Sequence, residues 1–298
     1  MPNYTGRFAP SPTGPLHFGS LVTAVASYLD AKQQGGKWLV RMEDLDPPRE
    51  MPGAADAILT ALELHGLHWD DSVSYQSQRH EHYETVIQSL LTNNQAFYCT
   101  CTRKQLAAQH NIHHIDTCHK RPSPPNEPYS IRLTAQDTSI CIDDKLQGSF
   151  CQNIKHDISD FIIKRKDGLY AYHLAVVVDD QWQQITHIMR GIDLLDSTPR
   201  QCFLQQHLNY TTPEYSHLPV IVNSQGQKLS KQTYAKAIPT THCNQSLWTA
   251  LWVLGLNPTT ELQQETPEQI LNWGIQAWNT DKLIGLSRID STAIAFDG

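Results

Sequence analysis

The period of the hydrophobic positions changes several times along the chain, and each change marks an element. Residues 4–8 (YTGRF) are short and partly aromatic, which suits a strand. Ala9 to Pro15 carries three prolines and a glycine, so helix is forbidden there. From His17 to about Gln34 the apolar residues Leu21, Val25, Tyr28 and Leu29 recur at i, i+4, i+7 and i+8, the stripe of an amphipathic helix. Gly35–Gly36 ends it, and Lys37–Glu43 reads as a second strand. Strand, tight loop, helix and strand form a βαβ unit, which predicts a parallel sheet with a right-handed crossover.

Residues 53–66 (Ile58, Leu59, Leu62) and 81–93 (Tyr83, Val86, Ile87, Leu90, Leu91) predict two more helices. From Cys99 to about Gln152 the composition shifts to His, Pro and Asp with short apolar runs, the mark of an insertion rather than sheet core. The α/β pattern returns at Asp157–Ile163 and at Tyr172–Val178 (YHLAVVV), a β-branched run that predicts a buried strand. After Pro239 the chain is rich in Trp and Leu and predicts a small helical tail; its 6 acidic against 2 basic residues suit it poorly to gripping RNA. The expected organisation is an α/β domain in two halves, 1–98 and 155–238, an insertion at 99–154 and a helical unit at 239–298.

Composition narrows the class. The 298 residues fit two domains, or one with an insertion, and 40% hydrophobic with 18% charged residues is too apolar for disorder. With 23 Lys+Arg against 30 Asp+Glu, the net charge of -7 argues against a protein that coats nucleic acid, so any grip on RNA needs a local basic surface. No apolar run reaches the ~20 residues that span a bilayer. The first residues lack the basic and apolar regions of a signal peptide, so a cytoplasmic protein is expected. Of seven cysteines, Cys141, Cys151, Cys202 and Cys243 are scattered and read as small buried hydrophobes. Cys99, Cys101 and Cys118 cluster.

Two short motifs carry candidate chemistry. Pro15-Leu16-His17-Phe18-Gly19-Ser20 stands where the first strand hands over to its helix, and a helix N-terminus offers free N–H groups to phosphate. Gly19 lets a nucleotide approach the backbone, and His17 can donate to a phosphate as charge builds. Late in the chain, Gln227-Lys228-Leu229-Ser230-Lys231-Gln232 places Lys228 and Lys231 around a serine, suited to neutralising a leaving pyrophosphate. Each alone is weak, since a capped helix and a solvated basic turn look the same. Their order around an α/β pattern gives them weight.

Together the two motifs resemble the class I aminoacyl-tRNA synthetases. Arg7 through His17 (RFAPSPTGPLH) is similar to the glutamyl branch, as are Arg41-Met42-Glu43-Asp44-Leu45-Asp46, Tyr172–Asp180 (YHLAVVVDD) and Ile188–Leu195 (IMRGIDLL). The resemblance implies a Rossmann-type parallel sheet, ATP with Mg²⁺, and an L-glutamate substrate. Arg7 and Arg190 are implied as carboxylate clamps, Glu43 as the partner of the ammonium and Tyr172 as a hydrogen-bonding wall, with Ala9 and Ser11 completing the glutamate side. His17, Gly19, Ser20 and Lys231 are implied on the ATP side, with His17, Lys228 and Lys231 catalytic. Ser20 replaces a frequent second His, Leu229 the usual Met and Gln232 the usual Ser.

Only 67 residues follow Lys231, fewer than an anticodon-binding region needs. This short form resembles the glutamyl-Q tRNA(Asp) synthetases, which activate glutamate without tRNA and esterify it onto queuosine at the wobble position of tRNA(Asp). The resemblance implies a monomer that receives the anticodon loop on its catalytic domain, as splayed loop bases are what proteins read in RNA. Arg103, Lys104, Lys120, Arg121 and Lys228 are candidates for the basic surface. The family's zinc site has C-x-C followed by Tyr-x₃-Cys; here Cys99, Cys101 and Cys118 are the thiolates and His114 stands in the tyrosine's place, with His110, His113 and His119 as rivals. A truncated tRNA(Glu)-charging enzyme, a small-molecule nucleotidyltransferase and a catalytically silent synthetase paralogue remain alternatives.

Overall fold

A computed structural model describes residues 4–108, 116–119, 123–222, 238–239 and 241–290. The first part holds strand β1 (Thr5–Phe8), helix α1 (Phe18–Gln33), β2 (Lys37–Met42), α2 (Ala54–Leu64), β3 (Ser74–Tyr75), α3 (His80–Thr92) and β4 (Ala96–Cys99). Short helices α4 (Arg103–Ala108) and α5 (Asp116–His119) lead to β5 (Ser130–Leu133), β6 (Ser139–Asp144), β7 (Gly148–Asn153) and β8 (Phe161–Lys164). Then come α6 (Tyr172–Trp182), β9 (His187–Gly191), α7 (Thr198–His207), β10 (Glu214–Leu218) and β11 (Val220–Val222). The tail supplies α8 (Cys243–Val253), α9 (Pro267–Ala277) and β12 (Arg288–Asp290).

The expected βαβ unit is present. β1 pairs with β2 in parallel, Arg7 opposite Leu39, and β2 pairs in parallel with β3. The last five residues of β2 are buried, which a parallel strand covered on both faces requires. At the end of α1, Gly35 takes a positive φ and the Gly36 N–H returns to the Ala31 carbonyl. A Cβ on Gly36 would stand 2.5 Å from the Tyr4 carbonyl oxygen, so that turn needs glycine. β9 lies against β1, where the Thr186 N–H donates to the Thr5 carbonyl at 2.9 Å, and β10 pairs with β9 in parallel.

Three expectations are corrected. Tyr172–Val178 is not a strand but the first part of α6. The run continues through Asp179, Asp180 and Trp182, and Leu174 to Asp180 are all buried; a helix covered on every side carries no clear stripe, and its valines imitate a strand. The insertion, in turn, is not merely loop: β4, β5 and β8 form an antiparallel sheet and β6–β7 a hairpin. Ile131, Leu133, Ile140 and Ile142 join the core built around α3, α6 and α7. Cys141 and Cys151 are not buried hydrophobes but exposed cross-strand neighbours joined by a disulfide. The tail is helical, as expected, and shares the apolar core of the first half. α8 and α9 pack on α1, and Leu247, Leu251, Ile270 and Trp278 belong to the same apolar cluster as Leu21, Val25 and Val40. Gly274 permits that approach, since a Cβ there would stand 3.0 Å from Leu251 and 3.1 Å from Leu29.

Candidate active site

The carboxyl ends of β1, β2, β9 and β10 and the N-terminus of α1 surround a cavity of about 430 Å³. In open parallel α/β sheets ligands sit at this edge, and the size falls in the ~300–1,000 Å³ range of small-molecule sites. Arg7, Ala9, Ser11, His17, Gly19, Ser20, Glu43, Tyr172 and Arg190 all line it. Residues spread from position 7 to position 190 are thus gathered in one place. Lys228 and Lys231 lie outside the described residues; on the near side of that stretch Ile221 lines the cavity, and on the far side the Ile238 N–H donates to the Leu16 carbonyl at 3.0 Å.

One wall is a buried lattice of opposite charges. Arg7 Nε donates to Asp180 Oδ1 at 3.2 Å, and Arg41 Nη2 stands 2.8 Å from the same oxygen and 3.6 Å from Glu43 Oε1. Behind them Arg79 Nε donates to Asp179 Oδ1 at 2.5 Å, and Gln76 and Tyr83 donate to Asp179 Oδ2. Asp180 is held below the usual carboxylate range by Arg7 and Arg41, against a desolvation that pushes the other way and is the largest influence. Glu43 goes the other way, pushed up to about 7, first by burial and then by Asp180 and Asp179, with Arg41 and Arg7 opposing. A carboxyl poised there accepts a cationic partner readily, because an ammonium beside it favours the charged form.

Arg190, at the end of β9, is held differently. Its Nε donates to His217 Nε2 at 3.1 Å and its Nη2 to Thr198 Oγ1 at 2.8 Å, and the guanidinium carbon lies 5.2 Å from the Tyr215 ring centre. Nη1 is buried with no hydrogen-bond partner among the described residues. A guanidinium that lines a cavity with one buried fork unused is a ready anion site. Tyr172, the first residue of α6, stands beside it; burial pushes its hydroxyl pKa up, so it stays a donor.

His17 serves as the N-cap of α1, with extended backbone (φ −108°, ψ 165°), and its Nδ1 accepts the Ser20 N–H at 3.2 Å. That places the neutral ring's proton on Nε2, 3.0 Å from Ser20 Oγ. The residue expected to donate to phosphate is therefore also the cap of this helix.

Away from the cavity, the ligand atoms of Cys99, Cys101 and Cys118 lie within 4.8 Å of one another, with Cys101 Sγ 3.6 Å from Cys118 Sγ. Zinc–sulfur bonds of ~2.3 Å in a tetrahedron put sulfurs ~3.8 Å apart, so these thiols fit zinc. Burial, then Cys118 and Cys99, push the Cys101 thiol up to about 12, and a bound cation would act in the opposite direction. His110, His113 and His114 lie outside the described residues. His119 has its Nε2 3.1 Å from Asp160 Oδ2 and its ring stacked on Phe97, which packs with the three cysteines. Among the basic-surface candidates, only the side chain of Lys104 is described, and it is exposed.

A family profile described as "tRNA synthetases class I (E and Q), catalytic domain" matches residues 4–246. The chain belongs to that family. Relatives of this synthetase include proteins named glutamyl-Q tRNA(Asp) synthetase from Ectopseudomonas mendocina (47% identical, covering 94% of this chain and 95% of the relative) and Neisseria meningitidis serogroup C (48%, 94% and 97%). Among solved structures, a glutamate tRNA ligase from Elizabethkingia meningosepticum in complex with its amino acid superposes with a TM-score of 0.79 at 26% identity, covering 96% of this chain and 67% of that one.

The sequence had not singled out Arg41, Asp180, Thr198 and His217 as parts of the site. Asp179-Asp180 closing an apolar run was the available signal for the first two, because buried acids need buried cations. Nothing local marks Thr198 and His217.

Proposed function

We propose that this synthetase condenses L-glutamate with ATP to glutamyl-adenylate without tRNA, then transfers the glutamyl group to queuosine in the anticodon of tRNA(Asp). What carries the proposal is the cavity's charge pattern. One guanidinium whose Nη1 has no partner among the described residues, a second shared with Asp180, and a carboxyl tuned for an ammonium suit an amino acid with two acidic ends, and they adjoin a helix N-terminus that suits phosphate. The names of the relatives support the acceptor.

In the first step an oxygen of the α-carboxylate attacks the α-phosphorus of ATP and the bond to the bridging oxygen breaks, releasing pyrophosphate. His17 Nε2–H donates to the developing charge, and the sequence puts Lys231 in the same role, with Lys228 beside it. ATP enters as its Mg²⁺ complex. In the second step a queuosine hydroxyl attacks the mixed anhydride carbonyl, AMP leaves and the hydroxyl proton passes to solvent. Positioning and a good leaving group carry this step. Cys99, Cys101 and Cys118 would hold a zinc ion together with a fourth donor, and the ion would stiffen the insertion.

The test offers labelled glutamate and ATP with tRNA(Asp) carrying or lacking queuosine, and with tRNA(Glu). Label on queuosine-bearing tRNA(Asp) alone is expected; label on tRNA(Glu) favours the truncated charging enzyme. Freshly purified protein should contain one zinc per chain, and Cys99→Ser should lower that content.

A further inference from the structure

A chain of buried hydrogen bonds runs from the insertion hairpin to the candidate glutamate clamp. Arginine has only donors, so the 3.1 Å contact from Arg190 Nε requires His217 Nε2 to accept. The imidazole proton must then sit on Nδ1, which lies 2.6 Å from Asp144 Oδ2. Asp144, the last residue of β6, is fixed in turn by the N–H groups of Leu146 (3.0 Å), Gln147 (2.9 Å) and His217 (3.2 Å), all on Oδ1. His217 and Asp144 are fully buried side chains, and neither lines the cavity.

We propose that Asp144 and His217 are positioning residues: Asp144 selects the His217 tautomer, and that tautomer aims the Arg190 guanidinium at the substrate's anionic end. The proposal rests on the glutamate reading of the cavity. The alternative tautomer would put an Nε2–H against the Arg190 Nε–H, two donors facing each other, and Arg190 would have to turn. Burial and the neighbouring Arg190 keep His217 neutral, in the form this role requires.

The experiment compares Asp144→Asn, His217→Leu and His217→Gln in glutamate-dependent ATP–pyrophosphate exchange, with thermal unfolding as a control. Asp144→Asn presents an amide NH₂ to Nδ1 or to the backbone N–H groups and so opposes the tautomer. A misaimed clamp should cut kcat/KM for glutamate on the order of a hundredfold, through KM for glutamate, with KM for ATP unchanged. His217→Gln keeps an acceptor for Arg190 and a donor for Asp144 and should restore KM to within about tenfold, the worth of one imperfect hydrogen bond. If Asp144→Asn fails to fold, the Leu–Gln pair decides. An unchanged KM for glutamate in His217→Leu, or equal rises for both substrates, overturns the proposal. Nitrogen NMR of labelled histidine reads the tautomer apart from activity: protonated Nδ1 and bare Nε2 are expected, and the reverse overturns the proposal. Absence of exchange in the unaltered protein would sink the glutamate reading while leaving that measurement to decide this one.

Discussion

Arg7 and Arg190 face one cavity, yet the protein secures them by opposite means. Arg7 shares Asp180 with Arg41, with Glu43 close by, so its charge is balanced within the wall. Arg190 leans on an imidazole, a hydroxyl and an aromatic ring, and among the described residues no carboxylate pairs with it. The first arrangement is a rigid lattice with affinity for both signs, fit for an ammonium and a carboxylate together. The second has a strong preference for an anion. Supporting a cation with uncharged acceptors preserves its pull on a ligand; supporting it with a carboxylate spends much of that pull on the fold.

Arg190→Ala should have the largest functional effect. Losing a buried charged partner of the substrate is expected to raise KM for glutamate by about two orders of magnitude, while stability falls by only about 1–2 kcal/mol because no charge is orphaned. Arg7→Ala should reverse the emphasis in denaturant melts, with a loss of about 3 kcal/mol or more from an under-compensated Asp180. Equal stability losses in the two variants would break the comparison. Next in size is a pH effect from Glu43. Its carboxyl sits at about 7 in the folded chain against an ordinary 4.5, so the folded state binds the extra proton. Stability from this group is full below about 4.5 and is lost as pH rises through 7. Glutamate affinity should change the other way, KM falling by up to about tenfold per unit as pH approaches 7 and levelling above it. Glu43→Gln should flatten both profiles; a profile that survives the substitution assigns the titration elsewhere. The smallest effect is expected for Tyr172→Phe, a rise of about fivefold in KM for glutamate from one lost hydroxyl.

Much of this molecule could be read from its sequence where one element is amphipathic and its ends are punctuated. α1 between a proline-rich loop and Gly35–Gly36 is such a case. The reading failed where burial is total. α6 shows no stripe because every side from Leu174 to Asp180 is covered, and taking it for a strand hid that Tyr172, Asp179 and Asp180 lie at i, i+7 and i+8 on one helical face. The Cys141–Cys151 bridge was missed for a different reason. It depends on the register of β6 against β7, which only the turn between them sets. Arg7, Glu43 and Arg190 were found through blocks of neighbouring residues, whereas His217 acts alone, through a contact with a residue 73 positions away.

The pairing of β12 with β11 sets an order of events. Val220, Ile221 and Val222 lie opposite Arg288, Ile289 and Asp290, and Val220 and Ile221 form part of the cavity wall. Parallel neighbours cannot be joined by a tight hairpin, and here the link passes through the whole tail. A nascent chain that has just released Val222 therefore has Arg7, Glu43, Tyr172 and Arg190 already made, but β11 lacks its β12 neighbour until translation has run through α8 and α9. The β11 side of the pocket is thus completed only once the tail has been made, and a stalled or shortened product would carry Arg7 and Arg190 beside an unfinished wall.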